Sequence, residues 1–187
     1  LLGSGGREHA LAWKLSKSPR VRRLFIAPGN AGTASCGTNI PLSPSAFSAI
    51  ADFVRRNRIT MVFPAAEEPL VQGIHDFFLA DASLKHVPVI GPVRAAAMLE
   101  GSKSFAKSFM ARHGIPTAAY RSFSSGECKD ACSYLDSLAP PFVVKADGLA
   151  AGKGVLVTES RTEARQVIRE MLEGNKFGQA GDTVVIE

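Results

Sequence analysis

Short apolar runs alternate with segments of helical period through the first ninety residues, and this alternation limits the fold more than any other feature. Leu1-Leu2 reads as the end of a strand, followed by a helix carrying Leu11, Ala12 and Leu15. Arg23 to Ala27 reads as the next strand. Phe47, Ile50, Ala51 and Val54 then repeat at i, i+3, i+4, i+7, which predicts a helix over about 45–56. Thr60 to Phe63 is a predicted strand, Leu70, Val71, Ile74, Phe77 and Phe78 mark a helix, and Val87 to Ile90 is a strand closed by Gly91-Pro92. Strands that alternate with helices bury both faces of a parallel sheet through right-handed crossovers. Such sheets bind ligands at the carboxyl ends of their strands. The expected fold class is therefore α/β: a Rossmann-like parallel-sheet domain over 1–92, a connecting helical segment over 93–118, and a smaller α+β unit over 119–187.

The smaller unit carries two Ser-x-x-Glu patterns, Ser124 to Glu127 and Ser160 to Glu163, each expected to open a helix as a capping box. Between them lie predicted strands Phe142–Lys145 and Gly154–Val157. The connecting segment contains a predicted helix from Ser102 to Arg112.

Composition excludes several classes. Of 187 residues, 45% are hydrophobic and 21% charged, ordinary values for a globular chain. No apolar run approaches the roughly 18 residues that span a bilayer, and no signal peptide is visible. A net charge of +5, unclustered, points to small anionic ligands rather than nucleic acid or membrane. Three cysteines, an odd number, argue for a reducing cytoplasm over a disulfide scaffold. Cys128 and Cys132 share the apolar face of a helix with Ala131 and Leu135, so packing explains them. The chain opens and closes inside apparent strands, and it reads as cut at both ends.

Five segments could carry chemistry. Gly3-Ser4-Gly5-Gly6-Arg7-Glu8-His9 lies between a strand and a helix, where backbone N–H groups can meet an anion. Spacing alone leaves this open between a phosphate cradle and a tight turn. A dinucleotide fingerprint would need glycine where Glu8 stands, and no acidic residue ends the second strand. Pro28-Gly29-Asn30-Ala31-Gly32-Thr33 lies on the same sheet edge. Glu67-Glu68-Pro69 follows the third strand; the helix dipole accounts for Glu68, which leaves Glu67 to face a cleft. Lys103 stands beside a helix N-terminus, a placement that makes sense if an anion sits there. Lys107, one turn on, reads equally as a solvated basic face.

The sharpest segment is Lys145-Ala146-Asp147-Gly148-Leu149-Ala150-Ala151-Gly152-Lys153-Gly154. A lysine ending an apolar strand is costly unless paired with an anion. Three glycines among small residues suit a flexible flap with open N–H groups. The hydroxyl residue of a Walker A loop is missing.

These five segments, in this order, resemble the phosphoribosylamine–glycine ligase family of ATP-grasp enzymes (glycinamide ribonucleotide synthetases). The resemblance spans nearly the whole chain. It implies that ATP phosphorylates the carboxylate of glycine and that the amine of 5-phosphoribosylamine attacks the acyl phosphate. It places Lys103, Lys145, Gly148, Ala151, Gly152, Lys153, Gly154 and Glu187 around ATP. It places Gly5, Gly6, Arg7, Glu8, His9, Pro28, Gly29, Asn30 and Glu67 around the phosphoribosyl substrate. It implies Mg²⁺ or Mn²⁺ held by residues outside this chain, small-molecule partners only (ATP, glycine and 5-phosphoribosylamine), and a monomer as the favoured state. The chain departs from the family at Phe63-Pro64-Ala65-Ala66, where a Val-Gly-Pro-Glu string is usual. It also stops before the family's metal ligands and glycine site, so the expectation is that it is inactive alone. The alternatives are another ATP-grasp carboxylate–amine ligase, or a fragment that binds nucleotide or phosphoribosyl groups without catalysis.

Overall fold

The structure is a computed structural model and describes residues 1–150, 153–174 and 177–187. The chain forms two compact units, Leu1–Ala97 and Met98–Glu187.

In the first unit β1 (Leu2–Gly3) leads into α1 (Gly6–Ser16), and β2 (Phe25–Pro28) leads through a 3₁₀ turn at Thr33–Ser35 into β3 (Thr38–Asn39). α2 (Phe47–Asn57), α3 (Glu68–Val71) and α4 (Ile74–Ala80) follow, and α5 (Arg94–Gly101) begins in this unit and ends in the second. The strands are parallel in the order β1-β2-β3, with Leu2 opposite Ala27 and Phe25 opposite Thr38. The expected strands at 60–63 and 87–90 continue this parallel arrangement only as single bridges, Leu2 to Pro64 and Val62 to Val89. Pro64 and Pro88 have no N–H to give a ladder, which keeps these pairings short. The helix expected through Leu70 to Phe78 divides in two. Gly73 takes φ +95°, a left-handed conformation that ends α3 and restarts the chain as α4. The core is built as the periodicity requires: Ile50, Ala51 and Val54 of α2 pack with Leu2, Val62, Ile74, Phe78 and Leu84.

The second unit contains α6 (Lys103–Arg112), β4 (Arg121–Ser124), α7 (Cys128–Asp136), β5 (Phe142–Ala146), β6 (Val155–Thr158), α8 (Arg161–Leu172) and β7 (Thr183–Ile186). Its sheet is antiparallel in the order β4-β7-β5-β6, so the last strand in sequence lies inside the sheet. Alternation sets its two faces. Phe123, Phe142, Val144, Ala146, Val184 and Ile186 point to one side and are covered by Cys128, Ala131, Cys132 and Leu135 of α7 and Ala164, Ile168, Met171 and Leu172 of α8. Val143, Lys145, Val185 and Glu187 take the opposite side.

The two capping patterns behave differently. Ser160 is the N-cap of α8 and its hydroxyl accepts the Glu163 N–H at 3.3 Å. Ser124 caps nothing. It closes β4, Gly126 turns the chain at φ +94°, and the Glu127 carboxylate accepts the Ser124 N–H at 2.6 Å. A sheet pairing claimed Ser124 before a helix could.

Phe142 is 1% exposed at the centre of the second core. Phe142→Ala should destabilise the protein by roughly 3–5 kcal/mol, the usual range for emptying an aromatic site. Denaturant unfolding checks this, and a loss under about 1 kcal/mol would contradict the packing described.

Candidate functional site

In the first unit three loops meet at the carboxyl ends of the parallel strands. Gly3 turns at φ +131°, and a Cβ there would lie 2.5 Å from the Glu8 side chain. Glu8 is buried, and its carboxylate accepts the Gly5 N–H at the start of α1. The structure thus commits Glu8 to holding the turn, while Gly5, Gly6, Arg7 and His9 stay exposed. Asn30 ties the second loop to the first by donating to the carbonyls of Ser4 (2.8 Å) and Gly5 (3.1 Å). Gly29 adds an N–H bond to the Gly3 carbonyl at 3.1 Å. Gly29 needs its φ of +75° and its lack of a side chain, since a Cβ would lie 2.3 Å from Asn39 Oδ1.

Behind this clasp, Asn39 donates to the Asn30 carbonyl at 2.7 Å, and the fully buried Thr33 accepts the Asn30 N–H at 2.8 Å. Sequence reasoning missed Asn39, which lies in a two-residue strand without an apolar pattern. Gly32 lies against the His9 ring. Arg7 reaches Glu67 at 3.4 Å, with both side chains exposed, so the third loop also joins the group. A backbone amide cluster at a helix start, flanked by Arg7 and His9, can hold an anion such as a phosphate.

In the second unit the site lies on the face of the antiparallel sheet opposite α7 and α8. Lys145 and Glu187 come from adjacent strands, and Val143 and Glu187 exchange two backbone bonds of 2.9 Å that fix the register. Lys145 Nζ donates to Glu187 Oε1 at 2.7 Å. Lys107, from α6, reaches the same oxygen at 2.8 Å. Lys107, which read equally as a solvated face, is 7% exposed. Its helical position cannot reveal this, because its acceptors come from segments far along the chain. Burial works against ionising Glu187, yet the hydrogen bonds from Lys107 and Lys145 outweigh it and hold the carboxyl below the usual carboxylate range.

Lys103 lies at the start of α6, with Nζ 3.0 Å from the Gly148 carbonyl and 3.4 Å from that of Asp147. Asp147 accepts from the Ser102 hydroxyl and the Ser104 N–H, so it caps α6 from the loop that follows Lys145. Asp147 is a second residue that sequence reasoning passed over. Burial lowers the Lys103 pKa; Asp147 and Glu100 resist the shift, and the Lys145 charge adds to it. An anion arriving there would relieve both costs.

Val155 and Val157, 46% and 63% exposed, pair with Lys145 and Val143 and continue the same face as an apolar strip. The expected open-amide flap is only partly so. The Gly148 N–H bonds the Ala180 carbonyl at 3.2 Å, and the Lys153 N–H bonds Ala150 at 2.9 Å. Gly148 and Gly154 serve close packing, since a Cβ would meet Ala180 at 2.9 Å and Ala150 at 2.6 Å. Ala151 and Gly152 lie outside the described residues. Lys153 is exposed.

Among the described residues no group of three or more His, Cys, Asp or Glu is arranged to hold a metal ion, and no helix is long and apolar enough to cross a membrane. The described residues alone do not supply such a site. An apolar cavity of about 550 Å³ opens at the amino ends of the first unit's strands, near Leu1, Leu24 and Met61, away from its loop cluster.

Comparison with known proteins agrees with this geometry. Residues 1–100 match the family described as phosphoribosylglycinamide synthetase, N domain, and residues 101–187 match its ATP-grasp (A) domain. The phosphoribosylamine–glycine ligase of Pseudomonas aeruginosa is 50% identical over 190 residues, covering 100% of this chain and 42% of that protein. The crystal structure of phosphoribosylamine–glycine ligase from Thermotoga maritima superposes with a TM-score of 0.72 at 33% identity, covering 100% of this chain and 42% of that one. N5-carboxyaminoimidazole ribonucleotide synthetase from Thermus thermophilus shares the fold alone, with a TM-score of 0.65 at 17% identity over 100% of this chain and 45% of that one. The antiparallel sheet with its lysine-bearing face is that of an ATP-grasp protein. Within that class, the chain belongs to the phosphoribosylglycinamide synthetase family. It spans 42% of the length of each of these two phosphoribosylamine–glycine ligases.

The Glu187 carboxyl sets a pH dependence. Its folded pKa lies below its unfolded one, so its contribution to stability is complete above the ordinary glutamate pKa of about 4.3 and is lost as pH falls through the folded value. Thermal unfolding from about pH 6 to about pH 3 should show the native protein losing stability faster than Glu187→Gln. Parallel losses would contradict the ion-pair assignment.

Proposed function

We propose that the full-length protein joins glycine to 5-phosphoribosylamine at the expense of ATP, giving glycinamide ribonucleotide, ADP and phosphate. The observation that carries this reading is the cluster of Lys107, Glu187 and Lys145 near Lys103: two ammonium groups share one carboxylate oxygen and a third feels the Lys145 charge, on a sheet face with an apolar strip. That arrangement suits a polyanion attached to a flat apolar ring, and family membership says which one.

In this reading a glycine carboxylate oxygen attacks the terminal phosphorus of ATP and ADP leaves. The phosphoribosylamine nitrogen then attacks the acyl carbon of glycyl phosphate, and phosphate leaves as the nitrogen gives up a proton. The chain's part is to position groups and to offset charge on the transferring phosphoryl group. Lys103 and Lys145 contact phosphates. Gly148, Ala151, Gly152, Lys153 and Gly154 cover them. Glu187 ends the strand against which the adenine ring lies. In the first unit Gly5, Gly6, Arg7, His9, Pro28, Gly29, Asn30 and Glu67 receive the phosphoribosyl group, and Glu8 acts through the turn that it holds.

The same reading assigns residues 1–92 to substrate binding, 93–118 to the connection and 119–187 to the ATP-grasp unit. It assigns the divalent cation, Mg²⁺ or Mn²⁺, and the glycine site to residues outside this chain, so that 1–187 alone would not turn over. Three free cysteines suit a reducing cytoplasm, and a monomer is the favoured state.

ADP release by the full-length protein should require ATP, glycine and phosphoribosylamine together. Lys145→Ala should reduce it roughly 100-fold, a typical cost for removing one charge-stabilising donor. ADP release that does not depend on glycine would refute the proposal.

A further inference from the structure

We infer that Lys107 is a positioning residue for nucleotide binding: it offsets the charge of Glu187 so that the Lys145 ammonium is left available to a phosphate. The inference rests on the ATP-binding reading of the second unit.

Lys103, Lys107 and Lys145 are not equivalent. An ammonium group has three N–H donors, and Lys107 has three acceptors for them: Glu187 Oε1 at 2.8 Å, Thr117 Oγ1 at 2.7 Å and the Ala118 carbonyl at 3.2 Å. Its Nζ also lies 5.5 Å from the centre of the Tyr120 ring. The Lys107 side chain is 9% exposed and that of Glu187 10%. Lys107 therefore has neither a spare donor nor a path to a ligand. Lys145 is 25% exposed and donates one hydrogen bond to the same Glu187 oxygen.

The charges give this geometry a consequence. With Lys145 alone, Glu187 would form a neutral pair, and a phosphate would have to compete with the carboxylate for the ammonium. With Lys107 fixed on the same oxygen, the trio carries a net positive charge. The shared oxygen then divides its attraction between two cations, which weakens its hold on the more exposed one. Lys107 also keeps the Glu187 carboxylate oriented when Lys145 turns away. It touches no substrate in this account and acts through Glu187 and Lys145.

The test is ADP affinity of the full-length protein, measured by calorimetry. Lys107→Met should weaken ADP binding about tenfold or more, because Glu187 then captures Lys145. Lys107→Arg, which keeps the charge, should stay within about threefold of wild type. Adding Glu187→Gln to Lys107→Met should recover most of the loss, since a neutral amide no longer competes. A purely structural lysine would show no such recovery.

Lys107→Met could unfold the unit by stranding Glu187, so a second comparison uses the Glu187→Gln protein alone. There Lys107→Met should change ADP affinity less than about twofold. A loss of about tenfold in that background would overturn the inference by showing direct action on the ligand, and so would wild-type affinity in Lys107→Met. ADP binding without glycine-dependent turnover would sink the proposed reaction and leave this inference standing.

Discussion

One carboxylate oxygen shared by two lysines organises the second unit. Glu187 comes from the strand that is last in sequence and interior in the sheet. Lys145 comes from the neighbouring strand and Lys107 from α6. Three separate segments must therefore assemble before any of these charges is satisfied. Removing one partner of a buried ion pair strands the other charge, which commonly costs about 3–5 kcal/mol. The apolar side of the sheet can tolerate conservative exchanges, whereas the charged side ties strand register, helix docking and ligand chemistry together.

The first unit reaches its geometry by different means. Its loops are held by amide and carbonyl groups: Asn30 clasps the carbonyls of Ser4 and Gly5, Asn39 clasps that of Asn30, and Glu8 caps the helix from within. These bonds satisfy backbone groups that a tight turn leaves without partners. They also leave Gly6, Arg7 and His9 exposed. Rigid support behind an exposed amide cluster is what a phosphate-binding turn requires.

Much of this was legible in the order of the residues. The faces of α2 and α8 follow from a 3.6-residue period, and the alternation of Phe142 to Ala146 separates core from site. Lys145 was conspicuous because a lysine closing an apolar strand needs an anion. What stayed hidden depends on partners distant in sequence. Lys107 stayed undecided because Glu187, eighty residues on, was not yet beside it. Asp147 looked like part of a flexible loop because the helix end that it caps lies more than forty residues earlier. Ser124 fitted a capping pattern but was taken by β4. The strands at 60–63 and 87–90 shrank to bridges, since two prolines withhold N–H donors that apolarity alone does not count. The family resemblance supplied the substrates, which no local geometry could name.

The central claim is that the lysine-bearing face of the second sheet receives nucleotide phosphates through Lys103 and Lys145. A crystal structure of the full-length protein with ADP measures this directly. The account predicts phosphate oxygens about 2.7–3.2 Å from both ammonium nitrogens, the ordinary hydrogen-bond range, with Lys107 still on Glu187. ADP bound elsewhere, or bound here with its phosphates outside that range of both lysines, would contradict it.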